Sequence, residues 1–451
     1  MDILELDPAW CWSPYQPEAE NSWDRQAATH LYRRAGFSAT VDELDKAVGI
    51  EPGELAHELV FGSREPEVFS TRMQDMVDAM IATGDVTRLA AAWLYRMLQT
   101  PNQLQEKTTL FWHGHFATSG EKVQDPIMMQ QQNDLLRTHA TGNFHEMVQA
   151  ISRDPAMLIY LDSANNRKTH PNENYAREVM ELFCLGEGHY SEQDIRELAR
   201  CFTGWEVKNR RFRFNRYQHD FGSKTILGRT GKFSGEEAVE QVLEQPVAAI
   251  FIASKLVNFF VFDEPVVPPV LVEPLAVQLR KDGFQVAPTL ERIFSSNLFH
   301  SPFSRRRKIR SPVELMVGLL RTLEMSVNVN QLATGIQDIG QGLFFPPNVN
   351  GWDGGRSWIN SSTLLGRSNL VYRVLSDEKT RFAGGTLEQF LAGHGVGSLR
   401  KAANWFVDHL FAIDLDSGRR EELAGVIEPS SPDRYRQLLH ALVTLPEFQI
   451  C

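Results

Sequence analysis

Cysteine is scarce in this chain. The four residues (Cys11, Cys184, Cys201, Cys451) show no CxxC spacing, so no disulfide framework is implied. Cys184 and Cys201 fall in apolar helical contexts and read as buried thiols. Long apolar runs are missing too. Nothing approaches the roughly 18 residues a spanning helix needs, so no transmembrane segment is expected. The opening residues, Met1-Asp2-Ile3-Leu4-Glu5-Leu6-Asp7, are acidic and lack a basic n-region. No secretory signal is expected from them, and cytoplasmic residence is the default. There is no excess of basic residues either: a net charge of −11 argues against general nucleic-acid binding. The one basic run, Arg305-Arg306-Arg307-Lys308-Ile309-Arg310, reads as a solvated helix start or an anion contact.

Several catalytic signatures are also absent. No GxSxG elbow stands in its hydrophobic context, no cysteine lies in an electropositive setting, no GxGxxG follows a strand, and there is no HExxH. What is present is helical periodicity. A chain of 451 residues can bury a large core. Apolar spacing predicts helices near 24–35, 66–82, 87–99, 102–113, 126–139 and 143–152. Beyond the central stretch it predicts them near 235–246, 248–261, 269–281, 287–297, 311–325 and 328–342. Ser361 reads as the N-cap of another helix, and the remainder to Cys451 as three more. Residues 1–25 carry Trp10, Trp12 and Trp23 and are expected to wrap irregularly over the core. Alternation with period two in Arg211-Phe212-Arg213-Phe214-Asn215-Arg216-Tyr217 makes 205–235 a small β-hairpin or irregular insert. No fixed-period repeat or long polar linker divides the chain. The expected fold is mainly α, a single multi-helix globular domain over 26–451 with that insert.

The chain is organised around the stretch from His170 to Trp205. At about 100° per residue, with Tyr175 at zero, Glu178 falls near about 300°, between Leu185 at about 280° and Leu182 at about 340°. Asn174 and Glu181 lie on the polar edge of that arc. A carboxylate held there must be paired, bound to a metal, or raised in pKa. Glu178 is therefore the candidate acid or base and Glu181 its partner or a ligand. The alternative is an Arg from a neighbouring helix that pairs Glu178 and fixes packing.

Three further constellations stand out. His113-Gly114-His115 resembles a metal-ligand pair, with a divalent metal as the cofactor it would take; otherwise Gly114 ends the helix and His113 favours its negative terminus. His219-Asp220-Phe221-Gly222-Ser223-Lys224 is a polar turn: either an anion or substrate contact through His219, Asp220 and Lys224, or a turn braced by its own side chains. Asn348, Trp352 and Arg356 lie in a glycine-rich loop. Aromatic faces beside amides suit polyol recognition, with Trp205 and Asn174 as further contacts, and a glycan is the substrate class this suggests. Equally, the tryptophans can pin the loop to the core.

Several motifs together resemble one family. They are His30-Leu31-Tyr32-Arg33-Arg34-Ala35-Gly36-Phe37, Phe111-Trp112-His113-Gly114-His115-Phe116-Ala117-Thr118-Ser119, Asp154-Pro155-Ala156-Met157-Leu158 and Pro171-Asn172-Glu173-Asn174-Tyr175-Ala176-Arg177-Glu178. With them go Phe202-Thr203-Gly204-Trp205, His219-Asp220, Ser311-Pro312-Val313-Glu314 and Pro346-Pro347-Asn348-Val349-Asn350-Gly351-Trp352. The chain is similar, over roughly residues 25 to 450, to the bacterial family catalogued as domain of unknown function 1800. That family has no assigned activity. The resemblance implies frequent export by the twin-arginine route and a partner from the domain of unknown function 1501 family, which resembles alkaline-phosphatase-like hydrolases. This chain lacks the export signal, so it stays inside or is a trimmed, exported form. Two readings follow: a hydrolase, glycoside-directed or metal-assisted, acting on a polyhydroxylated substrate in a carboxylate-lined cleft between the central helix, the His113–His115 turn and the Trp352 loop; or a non-catalytic partner subunit or carbohydrate-binding protein.

Overall fold

Helix Gln103–His115 is the spine of the molecule. Asn102 caps it by accepting from Gln105 N, and nearly every residue along it is buried. A helix buried all round needs apolar neighbours on every side, and it has them. Leu104, Phe111 and Trp112 join one apolar cluster with the helices of 136–303, whereas Leu110 joins a second cluster built from 86–98 and 313–448. The description comes from a computed structural model and covers residues 3–62, 64–413 and 415–451.

Helix starts follow the local chemistry of their first residues. Pro126, Pro155, Pro246 and Pro312 occupy first-turn positions, where the missing N–H costs nothing. Ser191 with Asp194, Ser234 with Glu237 and Ser311 with Glu314 form reciprocal capping boxes. The architecture is mainly α, with strands confined to three two-stranded antiparallel sheets among the described residues. Two of these are hairpins inside 205–235. Trp205–Lys208 pairs with Arg211–Phe214, and Lys224–Ile226 pairs with Arg229–Gly231. Each turns through two residues at positive φ, Asn209 with Arg210 and Leu227 with Gly228, which matches the twist of the flanking strands. The third, Met325–Ser326 with Arg381–Phe382, lies outside the predicted insert.

At the N-terminal end a short helix, Pro8–Cys11, leads to Trp12. Its buried indole donates to Leu271 O at 2.6 Å. Towards the other end the structure departs from expectation. Helix Ser361–Ser376 is capped by Asn360, not Ser361, because the Asn360 carbonyl oxygen accepts from both Ser362 N and Thr363 N at 2.9 Å. Beyond Ser376 the chain forms five α-helical segments rather than three: Leu387–Gly393, Leu399–Leu410, Ser417–Val426, Arg434–Val443 and Pro446–Gln449. Caps at Thr386, Ser398 and Asp416 and the proline at 446 restart the helix more often than apolar periodicity reveals.

No single described helix is long and apolar enough to cross a membrane. The bent pair Gly235–Leu243 and Pro246–Phe260 reaches that apolarity jointly, but its Ala248, Ile252, Leu256 and Phe260 are buried in the first cluster. That is how a core helix looks.

Candidate functional site

The central helix changes winding where the carboxylates sit. Asn174–Glu178 is α-helical and Val179–Cys184 continues as π-helix, with Leu185 N reaching back to Met180 O at 3.0 Å. The wider turns follow directly on Glu178, a placement common at functional positions. Glu178 makes no ion pair among the described residues, so the expected alternative of an arginine partner is not seen. It is half-buried, and burial, reinforced by the neighbouring Glu181, pushes its carboxyl up to about 7 against the pull of Arg177. Glu181 accepts from the Tyr190 hydroxyl at 2.8 Å. Asn174 donates to Leu161 O at 3.3 Å. Arg177 turns away to Glu173 and Glu192.

This shift has a thermodynamic consequence. A carboxyl with a raised folded pKa binds protons more tightly folded than unfolded. Its contribution to stability is complete below the unfolded pKa and is lost as pH rises through about 7. Asp154, buried while its side chain caps Pro155–Tyr160, is also pushed up to about 7 by burial and acts in the same sense. Thermal melts from about pH 5 to about pH 8 should show the Tm falling as pH rises, with Glu178→Gln removing part of the slope. A slope unchanged in that variant would place Glu178 in an ordinary solvated setting.

The two histidines diverge. His113 Nε2 accepts from Phe344 N at 3.1 Å, and its ring lies among Trp93, Phe344 and Trp352. His115 Nε2 donates to Phe183 O at 3.0 Å, among Phe116, Phe144 and Phe183. Burial holds both imidazoles down at about 3, so both are neutral at physiological pH. Among the described residues no group of three or more His, Cys, Asp or Glu is arranged to hold a metal ion.

What the structure does bring together is a cleft of about 590 Å³, a normal size for a ligand site. Gly114 and His115 form one wall and Leu182, from the π-helical turn, another. The loop bearing Asn350, Trp352, Asp353 and Arg356 forms a third. The loop docks through two glycines. Gly351 has φ +76, and a Cβ there would run into the Gly114 carbonyl oxygen; Gly114 in turn faces the Trp352 ring. Gly114 therefore lies within the helix and does not end it, and its backbone is the seat of the Trp352 loop.

The floor of the cleft is charged. Lys107 Nζ stands 2.5 Å from Glu314 Oε1 and also donates to Gly36 O at 2.9 Å. Burial works against the Glu314 carboxylate, but Lys107 and Lys308 outweigh it and hold it down to about 2. Lys308 pairs with Asp263 at 2.8 Å, and Asp263 also accepts from Ile309 N at 2.7 Å. At the rim Arg356, 82% exposed, reaches Glu264 at 2.8 Å. Lys255 differs: it makes no ion pair among the described residues, its ammonium lies 5.2 Å from the Phe251 ring centre, and desolvation pulls its pKa down. Asn258, one turn on, has a buried Oδ1 without a partner. Lys255 and Asn258 were not anticipated. Their signal was a lysine and an asparagine at i and i+3 in the mostly apolar helix Pro246–Phe260, whose one other polar residue, Ser254, bonds back to Ile250 O.

The other expected contacts lie elsewhere. Trp205 is buried against Phe202 and Phe212 and offers no face to the cleft. His219 donates to Thr203 O at 2.8 Å, Asp220 pairs with Arg200 at 2.7 Å, and buried Lys224 donates to Phe233 O at 2.9 Å. That turn is braced by its own neighbours. Asn348 is exposed and accepts from Asn350 N at 2.8 Å, which shapes the docking loop.

A family model described as a protein of unknown function (DUF1800) matches residues 30–450, nearly the whole chain. No curated protein and no solved structure matches it.

Proposed function

We propose, for a chain that belongs to the DUF1800 family, hydrolysis of a glycan or other polyhydroxylated substrate seated in the cleft beneath the Trp352 loop. The observation that carries this reading is the cleft itself, where a half-buried indole, Asn350, Asp353 and Lys255 converge on one volume. The indole face packs on sugar C–H groups while the amides and charges bond hydroxyls. Glu178 is the proton donor in this reading, near neutrality by its surroundings. Glu178 is not itself among the residues lining the cleft; it stands four residues before Leu182, which is. Trp352→Ala should weaken oligosaccharide binding by about tenfold or more, read by calorimetry. Glu178→Gln should bind as the parent does yet release no reducing ends. An active Gln variant would remove Glu178 from the chemistry.

One observation favours a second reading. Three of the four carboxylates lining the cleft, Glu314, Asp263 and Glu264, are already committed to Lys107, Lys308 or Arg356, which leaves only Asp353 of the four outside an ion pair among the described residues. That suits binding without turnover, as in a carbohydrate-binding subunit serving a hydrolase of the domain of unknown function 1501 type. Saturable oligosaccharide binding by a parent protein that forms no product decides for it.

A further inference from the structure

A second pocket, of about 390 Å³, shares no lining residue with the cleft. Its wall is one face of helix Ser361–Ser376, where Leu364, Arg367, Ser368 and Val371 follow at helical spacing. Leu315, Val443 and Ile450 extend a mostly apolar lining that also includes Thr444 and Gln449. Leu364 is 43% exposed and marks the mouth; the adjacent Leu365 extends the apolar surface outward.

Arg367 does not fit such a lining unless something else enters. Its side chain is only 2% exposed, and it forms no ion pair among the described residues. Nη1 donates to Gln449 Oε1 at 3.1 Å and Nη2 to Arg310 O at 2.9 Å, both neutral acceptors. Nε is buried with no acceptor. Arg310, whose carbonyl it uses, is itself a buried cation bonded to backbone carbonyls. Glu314, whose charge favours both guanidinium groups, is already taken by Lys107. A buried guanidinium with a free donor and no counter-ion is costly. A planar carboxylate answers its donor geometry.

We infer that this pocket binds a single-chain amphiphile of the fatty-carboxylate class, its head on the Arg367 guanidinium and its chain along Val371 and Leu364 towards the mouth. The volume lies near the lower end of the range for ligand sites, on the order of 300–1,000 Å³, which suits a medium-length chain. The apolar wall makes affinity grow with length, by about fourfold for each methylene buried.

Calorimetry on the whole chain with octanoate, decanoate and dodecanoate tests this. Affinity should climb along the series, and decanol or decyltrimethylammonium should bind at least ~10-fold more weakly than decanoate. Arg367→Gln should bring decanoate down to the level of decanol. Since Arg367 is also structural, Leu364→Glu at the exposed mouth provides a variant that keeps the core intact, and it should weaken decanoate by about tenfold or more, because a charged side chain replaces the apolar one along which the alkyl chain lies. Decanol binding as well as decanoate, decanoate unaffected by Leu364→Glu, or no binding of any member of the series would each overturn the proposal. An alkyl phosphate of the same length binding far better than the carboxylate would overturn its head-group assignment.

Discussion

Exchanging Glu314 for Gln is expected to cost about 3–5 kcal/mol of folding stability, read as a shift in the urea midpoint at unchanged slope. Glutamine can still serve the capping box at Ser311, so the loss does not come from the helix start. It comes from Lys107, which is fully buried and would keep only the carbonyls of Arg33 and Gly36 for its ammonium. Lys308, whose charge also faces Glu314, loses support at the same time. Adding Lys107→Met should recover much of the loss, because it removes the buried ammonium that Glu314→Gln leaves without a counter-charge. A double variant no more stable than Glu314→Gln alone would mean that the unpaired Lys107 ammonium is not the source of the loss.

The second large effect is expected at the loop. Gly351→Ala adds a methyl group to a residue at φ +76 and drives it into the Gly114 carbonyl oxygen. A left-handed backbone costs a non-glycine residue about 1–3 kcal/mol before any clash. The obstacle here is backbone, which cannot rotate aside. The cheapest relief is for the loop to lift, taking Trp352 out of the cleft. Intrinsic tryptophan fluorescence should therefore change, and oligosaccharide affinity should fall by about tenfold to a hundredfold while the urea midpoint moves little. Gly114→Ala provides the contrast. Its Cβ would meet only the Trp352 ring, at an ordinary 3.7 Å from Cε3 and 4.0 Å from Cζ3. Being in a helix, alanine there should be neutral or stabilising by up to about 1 kcal/mol. If the two alanines behave alike, the docking of one backbone on the other is not what seats the loop.

Most helices were legible in the sequence because their apolar faces and caps are local. Periodicity predicts 66–82 and 126–139, and the structure has Glu67–Ile81 and Pro126–Thr138. The stripe of Asn174, Glu178 and Glu181 was legible only in part. A uniform 100° per residue holds through Glu178 and fails at Val179, where π winding begins, and no local residue type announces that change. Trp205 illustrates another limit. An indole reads the same from sequence whether it stacks on a sugar or, as here, fills the space left by Gly235. The cleft floor depends on pairings that span the chain, Lys107 with Glu314 and Lys308 with Asp263. Spacing along the chain says nothing about such partners.

The interior also shapes how anything arrives at the surface. Among the described residues the buried charged side chains are mostly arginines and lysines, with Glu106, Asp154 and Glu314 as the acids. A chain of net charge −11 that hides its cations must show water a face more acidic than that total. An anionic ligand therefore approaches uphill, over a distance set by the screening length of about 10 Å at 0.1 M salt. Its association rate should quicken as salt is added, whereas the lifetime of the bound complex, set inside the pocket, stays nearly constant.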